Sequence, residues 1–395
     1  MLNRRTLFQA STTIGGAVAA LFGARKAHAE LPTAADVEPR GTDRRLERLP
    51  TLEAESREDF LTRFRTWVNS DVRRAAAARG DKIMREKGLD PRGDMTYEEA
   101  VSHLEHDHIV GLSGRAWISA QQIMWKNLQD EFYNNADAYL AEMEAADNRG
   151  PGKLELNPDM EIPLYCKHEI HMQPGGYVGD PLGGYVYHYG TNNFWEGRNS
   201  QDEMDTQLAK AVPVPKDGKI QRILHMGCSS GQLTLRLKEL YPAAEVWGVD
   251  VGGPMVRYAH MRGVDLGVEA NFRQALAEDT GFPDGHFDIV TSFLLFHEVS
   301  SEGAEAIINE GYRLLRPGGV FYSRDQNDWS KLPNSSAFQL YQRYWINRWN
   351  HEVWQREHRA NDYPKLLEQA GFMVSSPRQG RSARSQASLM GTKPA

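Results

Sequence analysis

The chain has 395 residues, with 46 Lys and Arg against 53 Asp and Glu and a formal net charge of −7. Hydrophobic residues make up 40% and charged residues 25% of the sequence. This composition excludes collagen-like, fully disordered and multi-span membrane proteins. The acidic balance argues against nucleic acid as a partner, and two cysteines, Cys166 and Cys228, are too few for a disulfide scaffold.

Residues 1–29 have the layout of an export signal. Arg4 and Arg5 precede a stretch of small and apolar residues, and Ala27-His28-Ala29 fits an A-x-A cleavage site. The paired arginines resemble the bacterial twin-arginine signal. We therefore expect the export machinery as a partner and a periplasmic protein, or a cytoplasmic one if the signal is not used.

A membrane anchor is the alternative interpretation of this segment. Its apolar stretch is shorter than the ~20 residues that span a bilayer. Cleavage after Ala29 would remove four basic residues and no acidic ones. The remaining chain would be more acidic, so we expect no stable membrane insertion after cleavage.

Two further regions precede the sheet-forming part of the chain. Residues 30–55 are predicted to be a linker, because three prolines stand among scattered charges. Residues 56–215 are predicted to form a mainly helical N-terminal domain, since Trp125, Leu128, Phe132 and other apolar residues recur at three- and four-residue steps.

A stretch rich in glycine and tyrosine interrupts this helical pattern. Residues 174–198 hold seven glycines and four tyrosines. Gly-Gly-Tyr-Val occurs on both sides of Asp180-Pro181, which are residues typical of turns. The pattern favours a β-hairpin.

From residue 216 to residue 395, short apolar runs alternate with helical segments. The runs at 220–226, 245–249, 287–296 and 319–324 predict strands. Strands that alternate with helices indicate an α/β fold with a parallel sheet. Ligands of such sheets bind beyond the carboxyl ends of the strands.

The loop after the first of these strands predicts a cofactor site. It runs from Gly227 to Gln232, and its glycines let the backbone turn and approach a ligand closely. Gly231 opens a helix, whose N-terminal N–H groups would face the ligand. The next strand ends in Asp250, whose carboxylate can accept hydrogen bonds from ribose hydroxyls.

Four stretches in this region resemble the core of class I S-adenosylmethionine-dependent methyltransferases of the small-molecule type. In chain order they are HMGCSSGQLT, EVWGVDVGGPMVRYA, ALAEDTGFPDGHFDIVTSFLLFHEV and LLRPGGVFYSRDQ. The resemblance implies a Rossmann-like seven-stranded methyltransferase sheet, with a helical insertion after its fifth strand. It also implies S-adenosyl-L-methionine as cofactor and a small-molecule acceptor.

The same resemblance implies which residues contact the cofactor. They are Gly227, Cys228, Ser229, Ser230, Gly231, Gln232, Asp250, Val251, Met255, Ala277, Glu278 and Phe293. Three positions depart from the family pattern. His225 stands where an acid is usual, Ser229 replaces a glycine, and Leu276 stands where an Asp often binds adenine.

His297 is the leading candidate for the catalytic base, and Glu298 is the second. A base is needed if the acceptor is a hydroxyl or a protonated amine. His297 follows the fourth strand of the family pattern, beside the expected methyl position, and imidazole has a suitable pKa. A helix-capping or packed histidine is the alternative.

Three other groups of residues have open interpretations. Residues 187–195 would either cover the cofactor or pack on the helical domain. Residues 329–358 form an aromatic insertion in which Phe338, Tyr341, Trp345 and Trp349 share one helical face. This face would form a lid or, as we favour, part of a core. Residues 166–171 and 103–108 hold His, Cys, Asp and Glu without the paired spacing of a zinc site, so no metal ligands are assigned.

Three functions remain open from the sequence. The favoured one is an active S-adenosylmethionine-dependent methyltransferase. The alternatives are an exported module that binds the cofactor without transferring its methyl group, and a nicotinamide-dependent reductase on a related fold. The reductase is disfavoured because the G-x-G-x-x-G fingerprint is absent, with Ser229 and Gln232 in place of two of its glycines.

Overall fold

The computed structural model describes Leu49 and residues 51–326, 335–378 and 386–395. The predicted export signal and most of the predicted linker lie outside the described residues. All the described residues belong to one compact unit. None of the helices among them is long and apolar enough to cross a membrane.

The described chain is mainly helical up to residue 211, as predicted. A short π-helical stretch joins the first two helices, and polar side chains cap several helix starts, such as Thr96 and Asp107. The helices are α1 (Leu52–Trp67), α2 (Arg73–Glu86), α3 (Tyr97–Leu104), α4 (His108–Asn134), α5 (Ala136–Ala146), α6 (Gly183–Phe194) and α7 (Glu203–Ala211).

The predicted β-hairpin within residues 174–198 is wrong, because this region contains helix α6 instead. Tyr185 and Tyr189 lie one helical turn apart and are buried. Asp180 does not turn a hairpin but precedes the helix, where its Oδ1 accepts a hydrogen bond from the Leu182 N–H at 2.9 Å. The tyrosines therefore follow a helical rather than a strand period.

The glycines of α6 allow close helix packing. A Cβ atom on Gly184 would overlap Tyr258, and one on Gly190 would overlap the ring of Trp125. Glycine is required at both positions because neighbouring side chains contact the helix backbone directly, and neither glycine lies in a turn.

An eight-stranded sheet forms the second half of the fold. Its order is β1-β4-β3-β2-β5-β6-β8-β7; the pairs from β1 to β6 are parallel, whereas β8 is antiparallel to both neighbours. The strands are β1 (Leu154–Glu155), β2 (Arg222–Met226), β3 (Glu245–Asp250), β4 (Asn271–Gln274), β5 (Phe287–Phe293), β6 (Leu315–Gln326), β7 (Met373–Arg378) and β8 (Gln386–Thr392). Strands β2 to β8 make the predicted seven-stranded sheet, and β1 adds a short edge strand.

Helices cover both faces of this sheet. Those that pack on the strands are α8 (Gln232–Leu240), α9 (Gly253–Leu266), α10 (Ser301–Leu314) and α13 (Tyr363–Ala370), whereas α11 (Ala337–Trp349) and α12 (Gln355–Ala360) form the insertion after β6. Neighbouring strand residues point to opposite faces: Leu224 and Val290 pack with residues of α10, whereas Ile223 and Ile289 pack with Leu233 of α8. Burial on both faces explains the continuous apolar runs in the sequence.

The aromatic insertion after β6 packs on the N-terminal helices. Phe338 and Tyr341 of α11 are buried with residues of α2, α3 and α4, and Trp345 lies against Gly114 of α4. Trp349 remains about half exposed. The favoured interpretation of this face as core is confirmed.

Candidate active site

A cavity of about 310 Å³ lies at the carboxyl ends of β2, β3 and β5, the edge at which parallel sheets bind ligands. Its volume falls within the roughly 300–1,000 Å³ of ordinary ligand pockets. One wall is formed by the loops that follow these strands. Much of the remaining lining comes from residues 165–205, which lie between β1 and β2 in the sequence.

The glycine loop has three left-handed residues in alternation. Gly227, Ser229 and Gly231 have φ angles of 66°, 50° and 79°. A Cβ atom on Gly227 would lie 2.9 Å from Leu295 Cδ1. Ser229 therefore adopts a conformation that favours glycine, which is the usual residue of the family at this position.

Asp250 organises two loops at the end of β3. Its Oδ2 accepts a hydrogen bond from the Ser229 N–H, and its Oδ1 accepts one from the Gly252 N–H, both at 2.8 Å. Each oxygen retains a second lone pair for a ligand. Burial raises the pKa of Asp250, and the two N–H groups oppose this effect.

The structure brings the predicted site residues together. All of them line the cavity except Gly231, and the lining positions are Gly227, Cys228, Ser229, Ser230, Gln232, Asp250, Val251, Met255, Ala277, Glu278, Phe293, His297 and Glu298. Gly231 lies behind the loop, where a Cβ atom would approach Ala259 Cβ to 2.6 Å. The contacts of these residues with a ligand stay predictions.

His225 offers an unused polar atom to the cavity. Its Nδ1 lies 2.8 Å from the hydroxyl of Thr234, while its Nε2 is buried without a hydrogen-bond partner. Burial lowers the pKa of His225 to about 3, so the ring is neutral. At the position where an acid is usual, the site thus presents a neutral group that can bond to a polar ligand atom.

Glu278, which the sequence predicts to contact the cofactor, is held from the N-terminal half of the chain. The hydroxyl of Tyr165 donates a hydrogen bond to its carboxylate. Tyr165 lies in a short 3₁₀ turn, Leu164–Cys166. Ala277 lines the cavity, whereas Leu276 is absent from its lining.

A cluster of histidines and carboxylates also borders the cavity. His297 Nδ1 is 2.6 Å from Asp325 Oδ1, and its Nε2 is 3.1 Å from Glu298 Oε1. His171 Nε2 is also 3.1 Å from Glu298 Oε1, and its Nδ1 is 3.4 Å from Glu352 Oε1. Both ring nitrogens of His297 therefore face carboxylates.

The charges in this cluster shift one another's pKa values. Burial alone would lower the pKa of His297, but the carboxylates of Asp325 and Glu298 outweigh it and hold the pKa well above the usual range. For His171 burial is outweighed in the same way, and Glu298 and Glu352 raise the pKa to about 9. Burial would raise the pKa of Glu298, but the two histidines lower it to about 2.

Sequence reasoning named His171 only within the group at residues 166–171, to which it assigned no metal ligands, and it missed Glu352. The members of that group separate in the fold, since His168 Nε2 faces the backbone carbonyl of His351 at 3.2 Å. Only the folded chain brings His171 to His297 and Glu298.

Residues 187–195 contribute to the lining of the cavity, which one of their two interpretations had predicted. Tyr187, Thr191, Phe194 and Trp195 line the cavity, as one interpretation of residues 187–195 expected. Asn199 and Asp205 also line it, although no motif singled them out. Burial raises the pKa of Asp205 to about 7, and the neighbouring Asp202 adds to this effect.

Comparison with known proteins gives one family match and several relatives. The sequence profile of a family described as a methyltransferase domain matches residues 223–319. A demethylmenaquinone methyltransferase from Thermus thermophilus is 38% identical over 28% of this chain and 49% of its own length. An uncharacterized methyltransferase from Synechocystis is 30% identical over 39% of this chain and 68% of its own length.

The chain thus spans about half the length of the Thermus relative and about two thirds of the Synechocystis one. Among solved structures, magnesium protoporphyrin IX methyltransferase from Synechocystis with bound S-adenosylmethionine is 16% identical. That match covers 48% of this chain and 77% of the other, with a TM-score of 0.33.

Proposed function

We infer that this chain, which belongs to the family of S-adenosylmethionine-dependent methyltransferases, transfers a methyl group to a small aromatic acceptor that carries oxygen. This inference rests mainly on one observation: the glycine loop and Asp250 line the same cavity. The sequence places the family motifs there, and the fold leaves room beside them. The cofactor of the family is S-adenosylmethionine.

The cofactor's groups match what the wall offers. Asp250 retains lone pairs for the ribose hydroxyls. His225 Nε2 and Asp205 are polar groups for the methionine end, and the segment around Ala277 and Glu278 is available to adenine. The transferring methyl group would then point at the remaining part of the cavity.

That remaining part is suited to a flat, mainly apolar acceptor. Tyr177, Tyr187, Phe194, Trp195 and Phe293 line the cavity, and aromatic walls favour ring-shaped ligands. The name of the Thermus relative gives demethylmenaquinone as its substrate. A quinone-type or phenol-type ring is therefore the acceptor class that we propose.

Methyl transfer requires little from the protein beyond positioning of the two reactants. The acceptor must reach the methyl carbon in line while water is kept away. His297 and Glu298, the predicted catalytic residues, line the same cavity as the glycine loop. The covering segment 165–205 closes the other side and would exclude water.

Calorimetric titration with S-adenosylmethionine tests the cofactor part of the proposal. We expect binding to the parent protein and affinity weaker by about 10- to 100-fold for Asp250→Ala, because hydrogen bonds to a charged group are lost. Asp284→Ala is the control, since Asp284 is exposed and pairs with Arg313 away from the cavity. Equal affinity in the parent and Asp250→Ala would contradict the assignment.

Transfer is tested with cofactor carrying a labelled methyl group and a panel of reduced naphthoquinones and phenols. The expected product is an acceptor heavier by one methylene group, together with S-adenosylhomocysteine. Cofactor binding with no product from any acceptor or cell extract would favour the binding-only alternative. Binding of NADH in place of S-adenosylmethionine would favour the reductase alternative.

We also propose that residues 1–29 direct export by the twin-arginine route. The support is the sequence pattern alone, with Arg4 and Arg5 before a short apolar stretch. A reporter fused to these residues is expected in the periplasm, whereas Arg4→Lys with Arg5→Lys is expected to retain it in the cytoplasm. A reporter that stays in the cytoplasm with both sequences would contradict the proposal.

A further inference from the structure

Three side-chain atoms converge at one end of the cavity. His171 Nε2 and His297 Nε2 each lie 3.1 Å from Glu298 Oε1. The three ligand atoms all lie within 4.8 Å of one another. Two ligands bound to one tetrahedral zinc ion at about 2.0–2.2 Å lie roughly 3.3–3.6 Å apart, so the two 3.1 Å separations suit a shared ion.

Each of the two histidines has a carboxylate beside its outer ring nitrogen. Asp325 Oδ1 lies 2.6 Å from Nδ1 of His297, and Glu352 Oε1 lies 3.4 Å from Nδ1 of His171, to which the amide Nδ2 of Asn350 is nearer at 3.0 Å. A carboxylate on Nδ1 fixes the ring and leaves the Nε2 lone pair for a metal, as in carboxylate–histidine–zinc arrangements. Both rings thus have their outer nitrogen held and their inner nitrogen directed at Glu298.

Glu298 supplies an independent observation. Both oxygens of its carboxylate are buried, and neither makes a hydrogen bond of acceptable geometry despite the two 3.1 Å contacts. A buried charged group without hydrogen bonds is costly. The two histidines offset its charge, and a metal ion that replaced their Nε2 protons would bind both imidazoles and the carboxylate oxygen directly.

We propose that His171, His297 and Glu298 bind one divalent transition-metal ion through the two Nε2 atoms and Oε1. Two imidazoles and one carboxylate suit Zn²⁺ or Fe²⁺ and disfavour Mg²⁺, which takes oxygen ligands. Because all three residues line the cavity, open coordination positions face the acceptor. This part of the inference rests on the proposed function: the ion would bind an acceptor oxygen and orient its ring toward the methyl group.

Metal binding by the full-length protein, stripped with a chelator, tests the site directly. Co²⁺ and Zn²⁺ are the probes, followed by visible absorption and by calorimetry. We expect one equivalent of each to bind, with affinity lower by more than about 100-fold in His171→Gln and in Glu298→Gln. Asp325→Asn is expected to weaken binding by about 10- to 100-fold, because Asp325 positions His297 without touching the ion.

His168→Gln is the matched control, three residues before His171 and bonded to a backbone carbonyl outside the cluster. It is expected to bind metal as the parent does. Parent protein that leaves Co²⁺ with the spectrum of the aqueous ion overturns the proposal, even if a variant unfolds. Equal affinity in the parent, His171→Gln and Glu298→Gln also overturns it.

Binding of S-adenosylmethionine to the stripped parent separates this inference from the proposed function. Cofactor binding without metal binding overturns the metal site and leaves the proposed methyltransferase standing. Metal binding without cofactor binding overturns the proposed function and leaves the ion site standing.

Discussion

Glu58 places a carboxyl group in the packed contact between α1 and α6. Its Oε1 accepts a hydrogen bond from Asn193 Nδ2 at 2.9 Å, while its Oε2 is buried without a partner. Burial raises the pKa of Glu58 to about 7, against the hydrogen bond from Asn193 and the charge of Arg65. The neutral carboxyl group is therefore the form that the fold prefers.

This preference predicts a pH dependence of stability. The pKa of Glu58 is higher in the folded protein than in the unfolded chain. Its contribution to the free energy of unfolding is therefore complete below about pH 4.5 and is lost as the pH rises through about 7. Relative to Glu58→Gln, the parent should lose about 2–3 kcal/mol of unfolding free energy between pH 5 and pH 8. Urea unfolding at several pH values measures this, with Glu53→Gln, an exposed acid of the same helix, as control. Parallel curves for the parent and Glu58→Gln would refute it.

Individual site residues differ in how far the sequence could predict them. Gly227 and Asp250 have roles that a few neighbouring residues reveal. Gly227 adopts a left-handed turn and Asp250 ends a strand, and both features can be predicted from the local sequence. The role of His171 cannot be predicted from neighbouring residues, because its contact with Glu298 depends on how the segment between β1 and β2 packs against the ends of the strands. The long-range packing that places it leaves no periodicity in the sequence.

Helix α6 connects the packing of glycines with the shape of the cavity. Gly190 lies under the ring of Trp125, and Tyr187 and Thr191 on the same helix line the cavity. A methyl group at residue 190 must displace either the helix or the ring. Such overpacking costs about 1–3 kcal/mol, and here it would also move cavity-lining side chains.

Gly190→Ala is therefore expected to lower the unfolding free energy by about 2 kcal/mol and to weaken S-adenosylmethionine binding. Gly111→Ala in α4 is the matched control, because no atom lies within 4 Å of a Cβ atom there. It should stabilise the protein by up to about 1 kcal/mol, since alanine favours helix more than glycine does. Urea unfolding and calorimetry measure both effects. Similar stability changes in the two variants would show that the Trp125 contact is unimportant.

The elements themselves were predicted unevenly, for physical reasons. Strands β2, β3 and β5 were located within a few residues because burial on both faces requires continuous apolar runs. Strand β4, Asn271–Gln274, has polar residues at three of its four positions and was not predicted. For α6, Asp180-Pro181 was interpreted as a turn between two Gly-Gly-Tyr-Val strands, so a hairpin was predicted where the structure has a helix.

The cavity is built from parts of the chain that are distant in sequence. Tyr165 and His171 come from between β1 and β2, the glycine loop from the centre of the sheet, and Glu352 from after α11. Asp202, at the start of α7, fixes one of these parts to the sheet region: its carboxylate lies 3.1 Å from Arg262 Nη2 and accepts a hydrogen bond from Gln232 at 2.9 Å. A ligand in the cavity therefore contacts several parts of the fold at once.

This arrangement predicts how cofactor binding spreads through the protein. S-adenosylmethionine at about 100 times its dissociation constant would stabilise the bound fold by about 2.7 kcal/mol. Amide hydrogen exchange should slow in residues 164–199 as well as in residues 226–232, because both walls close on the ligand. Amides of α3 that exchange by local fraying, away from the cavity lining, should be unaffected and serve as the internal control. Protection confined to residues 226–298 would mean that the N-terminal segment does not cover the cofactor, and the acceptor would then have to approach from that open side.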